Sequence, residues 1–161
     1  MAGGRIFYLL PKTRRPSGGV KMMVRHVEML CAAGYDAWLV SARDDDPLAS
    51  WLPHTAPLLL AGVGRPWVVG PADCLVLPET GLELAGAPGA PRRARRLLFC
   101  QNHHYCPPEL ADWRGLGLSG AFSVSPVISR VLVERFGFPL APVAFSFKWD
   151  CGRHIRPFLQ L

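Results

Sequence analysis

RIFYLLPKTRRPSGGVKMMVRHVEMLCAAGYDAWLVS, residues 5–41, decides the fold. RIFYLL (5–10) is a short, continuous apolar run, the pattern of a strand buried on both faces. After Ser17-Gly18-Gly19, apolar residues recur at helical spacing at Val20, Met23, Val24, Val27, Leu30 and Cys31. They make one stripe that stops before Gly34, a natural C-terminal signal. DAWLVS (36–41) reads as the next strand. Strand, glycine turn, helix and strand make a βαβ unit.

The same alternation continues along the chain. TAPLLL (55–60), DCLVLP (73–78), RLLFCQN (96–102) and GAFSVS (120–125) read as strands. Ser125-Pro126 sets a helix cap and a proline in their preferred places, ahead of a face of Val127, Ile128, Val131, Leu132 and Phe136 that ends at Gly137. APVAFSF (141–147) is the expected last strand. Residues 80–95, rich in Gly, Pro and Ala, read as a loop or shortened helix. The fold class that follows is α/β, Rossmann-like: a mostly parallel sheet with helices on both faces. One domain is expected over 1–147, with an irregular tail at 148–161.

Half of the 161 residues are apolar, enough for one full core and too few for two ordinary domains. No apolar run reaches membrane-spanning length, and MAGGRIFYLL lacks the layout of a signal peptide, so the expected location is cytoplasmic. The five cysteines are odd in number and show no C-x-x-C, which suggests reduced thiols. The net charge of +6 concentrates at Arg14-Arg15 and at Arg92, Arg93, Arg95 and Arg96. The second cluster is expected to be exposed and dispensable for folding, because four nearby cations are costly to bury. It reads either as a solvated loop or as an attraction to an anionic surface, either lipid head groups at the inner membrane face or a phosphorylated substrate. No aromatic interleaving accompanies these arginines, so nucleic acid is not an expected partner.

Two polar stretches fall at the carboxyl ends of strands, the edge where ligands bind in such sheets. In the first, Gly18 and Gly19 open a helix, where free N–H groups and the helix dipole favour an anion; a plain tight turn explains the pair equally well. Neither G-x-x-x-x-G-K-[ST] nor a G-x-G-x-x-G in this turn is present, which argues against an ATPase or a standard dinucleotide dehydrogenase. The second stretch is CQNHHYC (100–106). His103 and His104 there offer a general base or a hydrogen bond to a sugar, while the residues alone read as a loop with satisfied histidines. The spacing C-x2-H-H-x-C fits no usual zinc pattern, and neighbouring strand-end side chains are expected to diverge, so no metal is expected.

In order and spacing, RIFYLLPKTRRPSGGVKMMVRHVEMLCAAGYDAWLVS, DCLVLPE, LLFCQNHHYC and FSVSPVISRVLVERFG together resemble the N-terminal half of a GT-B glycosyltransferase of the family-four, or group 1, type. The likeness covers about residues 5–145. It implies transfer of a sugar from a nucleotide-sugar donor to an acceptor held mainly by this domain, without a cofactor. By the resemblance, Gly18 and Gly19 approach the donor diphosphate or the acceptor. His103 or His104 sits near the transferring sugar as the catalytic candidate, while Gln101, Asn102 and Tyr105 shape the site. Ser125 matches the serine that opens the last helix of the domain, a cap first and a ligand second. The family's donor-binding Glu-x7-Glu motif is not in this sequence, so the resemblance implies an isolated chain without transferase activity. A non-catalytic binding module or remnant with a Rossmann-like fold is the alternative reading.

The tail carries its own expectation. Where the family has Asn-Gly-Ile-Asp followed by Phe-x-Pro, this chain has Lys148-Trp149-Asp150-Cys151-Gly152 and onward. Read one base forward from inside the Lys148 codon, the genetic code permits Asn-Gly-Ile and Phe-x-Pro at the family's spacing, with only the Gly forced. The tail is therefore read as out of frame, and the gene beyond it as the place to look for a second domain.

Overall fold

A computed structural model describes residues 4–12, 16–61, 68–83 and 93–143. Six strands form one sheet: β1 (Ile6–Leu9), β2 (Ala37–Ser41), β3 (Leu58–Leu60), β4 (Cys74–Pro78), β5 (Arg95–Cys100) and β6 (Gly120–Ser123). All the pairings are parallel and the order is β3-β2-β1-β4-β5-β6. This is a doubly wound α/β sheet whose order reverses between β1 and β4. Helix α1 spans Gly18–Ala32 and helix α2 spans Pro126–Phe136. The last expected strand is represented by one parallel bridge from Val143 to Ser123; residues 144–147 and the tail 148–161 lie outside the described residues.

Alternation along the strands divides the core. Ile6, Tyr8, Leu39, Val76, Leu97, Phe99 and Phe122 pack with Val20, Met23, Val24, Val27 and Leu30 of α1. Burying each of those helix side chains contributes roughly 1.5–3 kcal/mol, so the stripe holds α1 on the order of 10 kcal/mol before the entropy of ordering. Leu77, Leu98, Cys100 and Ala121 point the other way, onto Ile128, Leu132 and Phe136 of α2 and onto Phe138. Helix α2 stops at Gly137, whose φ of 69° is a left-handed conformation that glycine adopts without cost. Arg5 and Asp73 tie the starts of β1 and β4 together. The Asp73 carboxylate accepts the Arg5 amide at 2.8 Å and its guanidinium at 2.7 and 3.3 Å.

Three sequence expectations are revised. The Arg92–Arg96 run is not uniformly exposed: Arg93 is exposed, Arg95 is half-buried and Arg96 is buried at 5 % exposure. The reason is that β5 starts at Arg95, so Arg96 sits opposite Leu75 of β4, and its guanidinium donates to the Leu116 carbonyl at 3.3 Å. Arg92 lies outside the described residues. In α1 the buried stripe takes in His26 and leaves Cys31 half-buried, and in α2 only Ile128, Leu132 and Phe136 of the expected face are buried, with Val131 half-buried and Val127 exposed. Of TAPLLL only Leu58–Leu60 is strand, and the Pro57 carbonyl accepts from the Leu39 amide just before it starts.

Candidate functional site

Both polar stretches converge where the sheet order reverses. Ser17 caps α1: its backbone is extended, its hydroxyl accepts the Val20 amide at 3.2 Å and its carbonyl accepts the Lys21 amide at 3.2 Å. Gly18 and Gly19 therefore form the first turn of α1. An α-helix leaves its first amides without intrahelical partners, and no acidic residue in this first turn offsets the positive end of the dipole. A side chain on Gly18 would meet open space. A Cβ on Gly19 would collide with the Gln101 side chain and lie 3.1 Å from its Cδ. The glycine lets the Gln101 carboxamide lie against the first turn of α1, and a Cβ there would force that side chain to move.

That turn is held from below by Glu79, which follows β4. Glu79 is buried at 6 % exposure, and its two carboxylate oxygens accept the amides of Gln101 at 3.2 Å and Asn102 at 2.8 Å. Burial pushes the Glu79 carboxyl above its ordinary range, and the backbone hydrogen bonds partly oppose the rise. Asn102 caps the 3-10 turn His103–Tyr105, with its Oδ1 accepting the His104 amide at 3.1 Å. A cavity of about 570 Å³ opens between these elements. Its walls are the first turns of α1 with Pro11, the Glu79-Thr80 turn, Gln101 and Asn102, Tyr105 and Val124. A second cavity of about 410 Å³ shares Glu79, Thr80 and Tyr105 with the first and continues past Glu83 and Glu109. Tyr105, 62 % exposed, stands between them. Amide donors, a carboxamide and an exposed aromatic ring suit a ligand that carries both hydroxyl or anionic groups and an apolar face.

Of the residues expected at the site, Gly18, Gly19, Gln101, Asn102 and Tyr105 come together around one cavity. His103 is half-buried and His104 exposed; their rings lie 4.1 Å apart between centroids, and neither lines the described cavities. Ser125 caps α2 through the Ile128 amide at 3.2 Å and lines neither cavity. Sequence reasoning passed over Glu79, Thr80 and Val124. An acid directly after an apolar strand, as in DCLVLPE, is the one signal that marks Glu79.

Cys31, Cys74, Cys100 and Cys106 are free thiols. Cys100 and Cys106 do not diverge: their sulfurs lie 3.4 Å apart in a buried contact. Among the described residues no three His, Cys, Asp or Glu side chains converge as metal ligands. No described helix is long and apolar enough to cross a membrane. No known protein family and no curated protein matches this chain.

Proposed function

We propose that this domain is the acceptor-side half of a GT-B type glycosyltransferase, serving transfer of a sugar from a nucleotide-sugar donor. The observation that carries the reading is the meeting of two stretches, Ser17–Gly19 and Gln101–Tyr105, around one cavity at the reversal point of the sheet. In this reading the α1 amides receive an anionic group, as helix N-termini do. Gln101 and Asn102 hydrogen-bond sugar hydroxyls, and the Tyr105 ring stacks on a sugar face. His103 and His104 lie outside the cavity lining, so the reading gives binding to Gln101, Asn102 and Tyr105 and assigns the imidazoles no proton transfer within this domain. Such chemistry needs a cleft that encloses the donor between two domains, and orientation in that cleft supplies much of the rate.

The test is amide NMR on the chain titrated with nucleoside-diphosphate sugars, beside a transfer assay with labelled donors. Shifts at Gly18, Gly19, Gln101, Asn102 and Tyr105, with no transfer by the chain alone, are the expected result. Shifts confined to other surfaces, or no response to any donor or free glycoside, would overturn the reading. Turnover by the isolated chain would make it a self-sufficient enzyme of another design.

A further inference from the structure

Cys100 ends β5 and Cys106 directly follows the 3-10 turn, so the segment between them carries the cavity-lining Gln101, Asn102 and Tyr105. We propose that Cys100 and Cys106 form a reversible redox site, in which hydrogen peroxide converts the two thiols into a disulfide that staples this turn. The inference does not depend on sugar chemistry.

Three observations support it. The sulfurs are already in contact at 3.4 Å, and a disulfide requires them to close by on the order of 1.4 Å. The two thiols are unequal in access: Cys100 is fully buried in the sheet opposite Ser123, whereas Cys106 keeps 9 % exposure beside the open Tyr105. They are also unequal in charge. The hydrogen bond shared with Cys100 holds the Cys106 thiol below its ordinary value, while burial and the Glu79 carboxylate oppose this and Arg135 assists. Cys100 is pushed up by the same hydrogen bond and by burial. Cys106 is thus the attacking sulfur and Cys100 the resolving one.

The chemistry balances in two steps. The Cys106 thiolate attacks one peroxide oxygen, the O–O bond breaks, and a sulfenic acid forms while the departing hydroxide takes up a proton as water. Cys100 then loses its proton, its sulfur attacks the Cys106 sulfur, and the S–O bond breaks as hydroxide leaves and becomes a second water. The two sulfurs supply both electrons that reduce the peroxide. Because Cys100 ends β5, buried and paired with Ser123 of β6, closure draws Cys106 and the adjoining Tyr105 toward the sheet and reshapes the cavity mouth.

The experiment is stepwise hydrogen peroxide treatment of the full chain carrying Cys151→Ser, followed by alkylation and peptide mapping without reductant. Cys31 is the internal control, because it is the more exposed thiol. The expected result is a Cys100–Cys106 disulfide that forms before Cys31 is modified and is reversed by dithiothreitol. In Cys100→Ser the disulfide is lost and a dimedone-trapped sulfenic acid appears at Cys106. If Cys31 oxidises first while Cys100 and Cys106 still alkylate, the proposal is wrong. If Cys100→Ser fails to fold, the mapping of the Cys151→Ser chain stays decisive, since that chain keeps both Cys100 and Cys106; if Cys151→Ser fails to fold, the same mapping on the unsubstituted chain decides.

Discussion

His26 is a histidine packed among aromatic rings. It is fully buried in α1 and packed against Phe99 (centroids 4.8 Å), Tyr8 (6.0 Å) and Phe122 (6.3 Å). Neither ring nitrogen finds a hydrogen-bond partner among the described residues. Burial lowers its pKa from 6.5 to about 4. The unfolded chain therefore binds this proton more tightly than the folded one. Stability is complete above 6.5, falls as the pH drops from 6.5 to about 4, and changes no further from this group below that. At ~1.4 kcal/mol per tenfold difference in proton affinity, the loss across that window is on the order of 3 kcal/mol. His26→Leu removes the titration and keeps the apolar packing. At about pH 8 it should match or exceed the parent, because unsatisfied buried polar atoms cost about 1–3 kcal/mol each. The assay is urea unfolding of parent and variant from about pH 8 down to about pH 4, reading the difference in unfolding free energy. Other groups titrate in both proteins and cancel. The difference should widen by about 3 kcal/mol toward acid. Parallel curves would show that His26 does not stay neutral in the fold, and the reasoning would fail.

Two further perturbations probe the frame around the cavity. Gly19→Val drives a branched side chain into Gln101 and should cost about 1–3 kcal/mol in chemical denaturation, whereas Gly18→Ala, facing open space, should be neutral or stabilising by a few tenths; the reverse order would contradict the packing described. Asp73→Asn should cost about 1–3 kcal/mol at neutral pH, discounted because Arg5 is partly exposed. Burial raises the Asp73 carboxyl, but its bonds to Arg5 and Gly70 outweigh this and hold it below 3.8, so the contribution is full above 3.8 and fades as the pH falls through the folded-state value. An Asp73→Asn deficit that persists undiminished in strong acid would assign it to lost shape and not to lost charge.

The sheet was legible because its strands are buried on both faces and so read as unbroken apolar runs, while α1 and α2 read through their period and caps. The convergence of Gly18, Gly19, Gln101, Asn102 and Tyr105 around one cavity was legible because both stretches sit at strand ends, and a parallel sheet brings strand ends to one edge. Glu79 was not, because its partners are backbone amides 22 and 23 residues away, which any residue type supplies. Arg96 was misjudged because a run of like charges hides the point at which a strand begins. His26 was passed over because an imidazole on a helix flank gives no sign of whether the sheet will cover it. The Cys100–Cys106 contact depends on a 3-10 turn that doubles the chain back, and the spacing alone does not announce it.

The Glu79 clamp has a consequence for how this surface can diverge. A carboxylate that grips two main-chain amides holds the turn by features common to nearly every amino acid. The side chains at 101 and 105 can then be exchanged, altering what the cavity accepts, while the path of the chain beneath them stays fixed. Proline at 101 or 102 is the exception, since it has no amide to offer. The anchor is thus separated from the variable part: one acid under constraint frees its neighbours to vary.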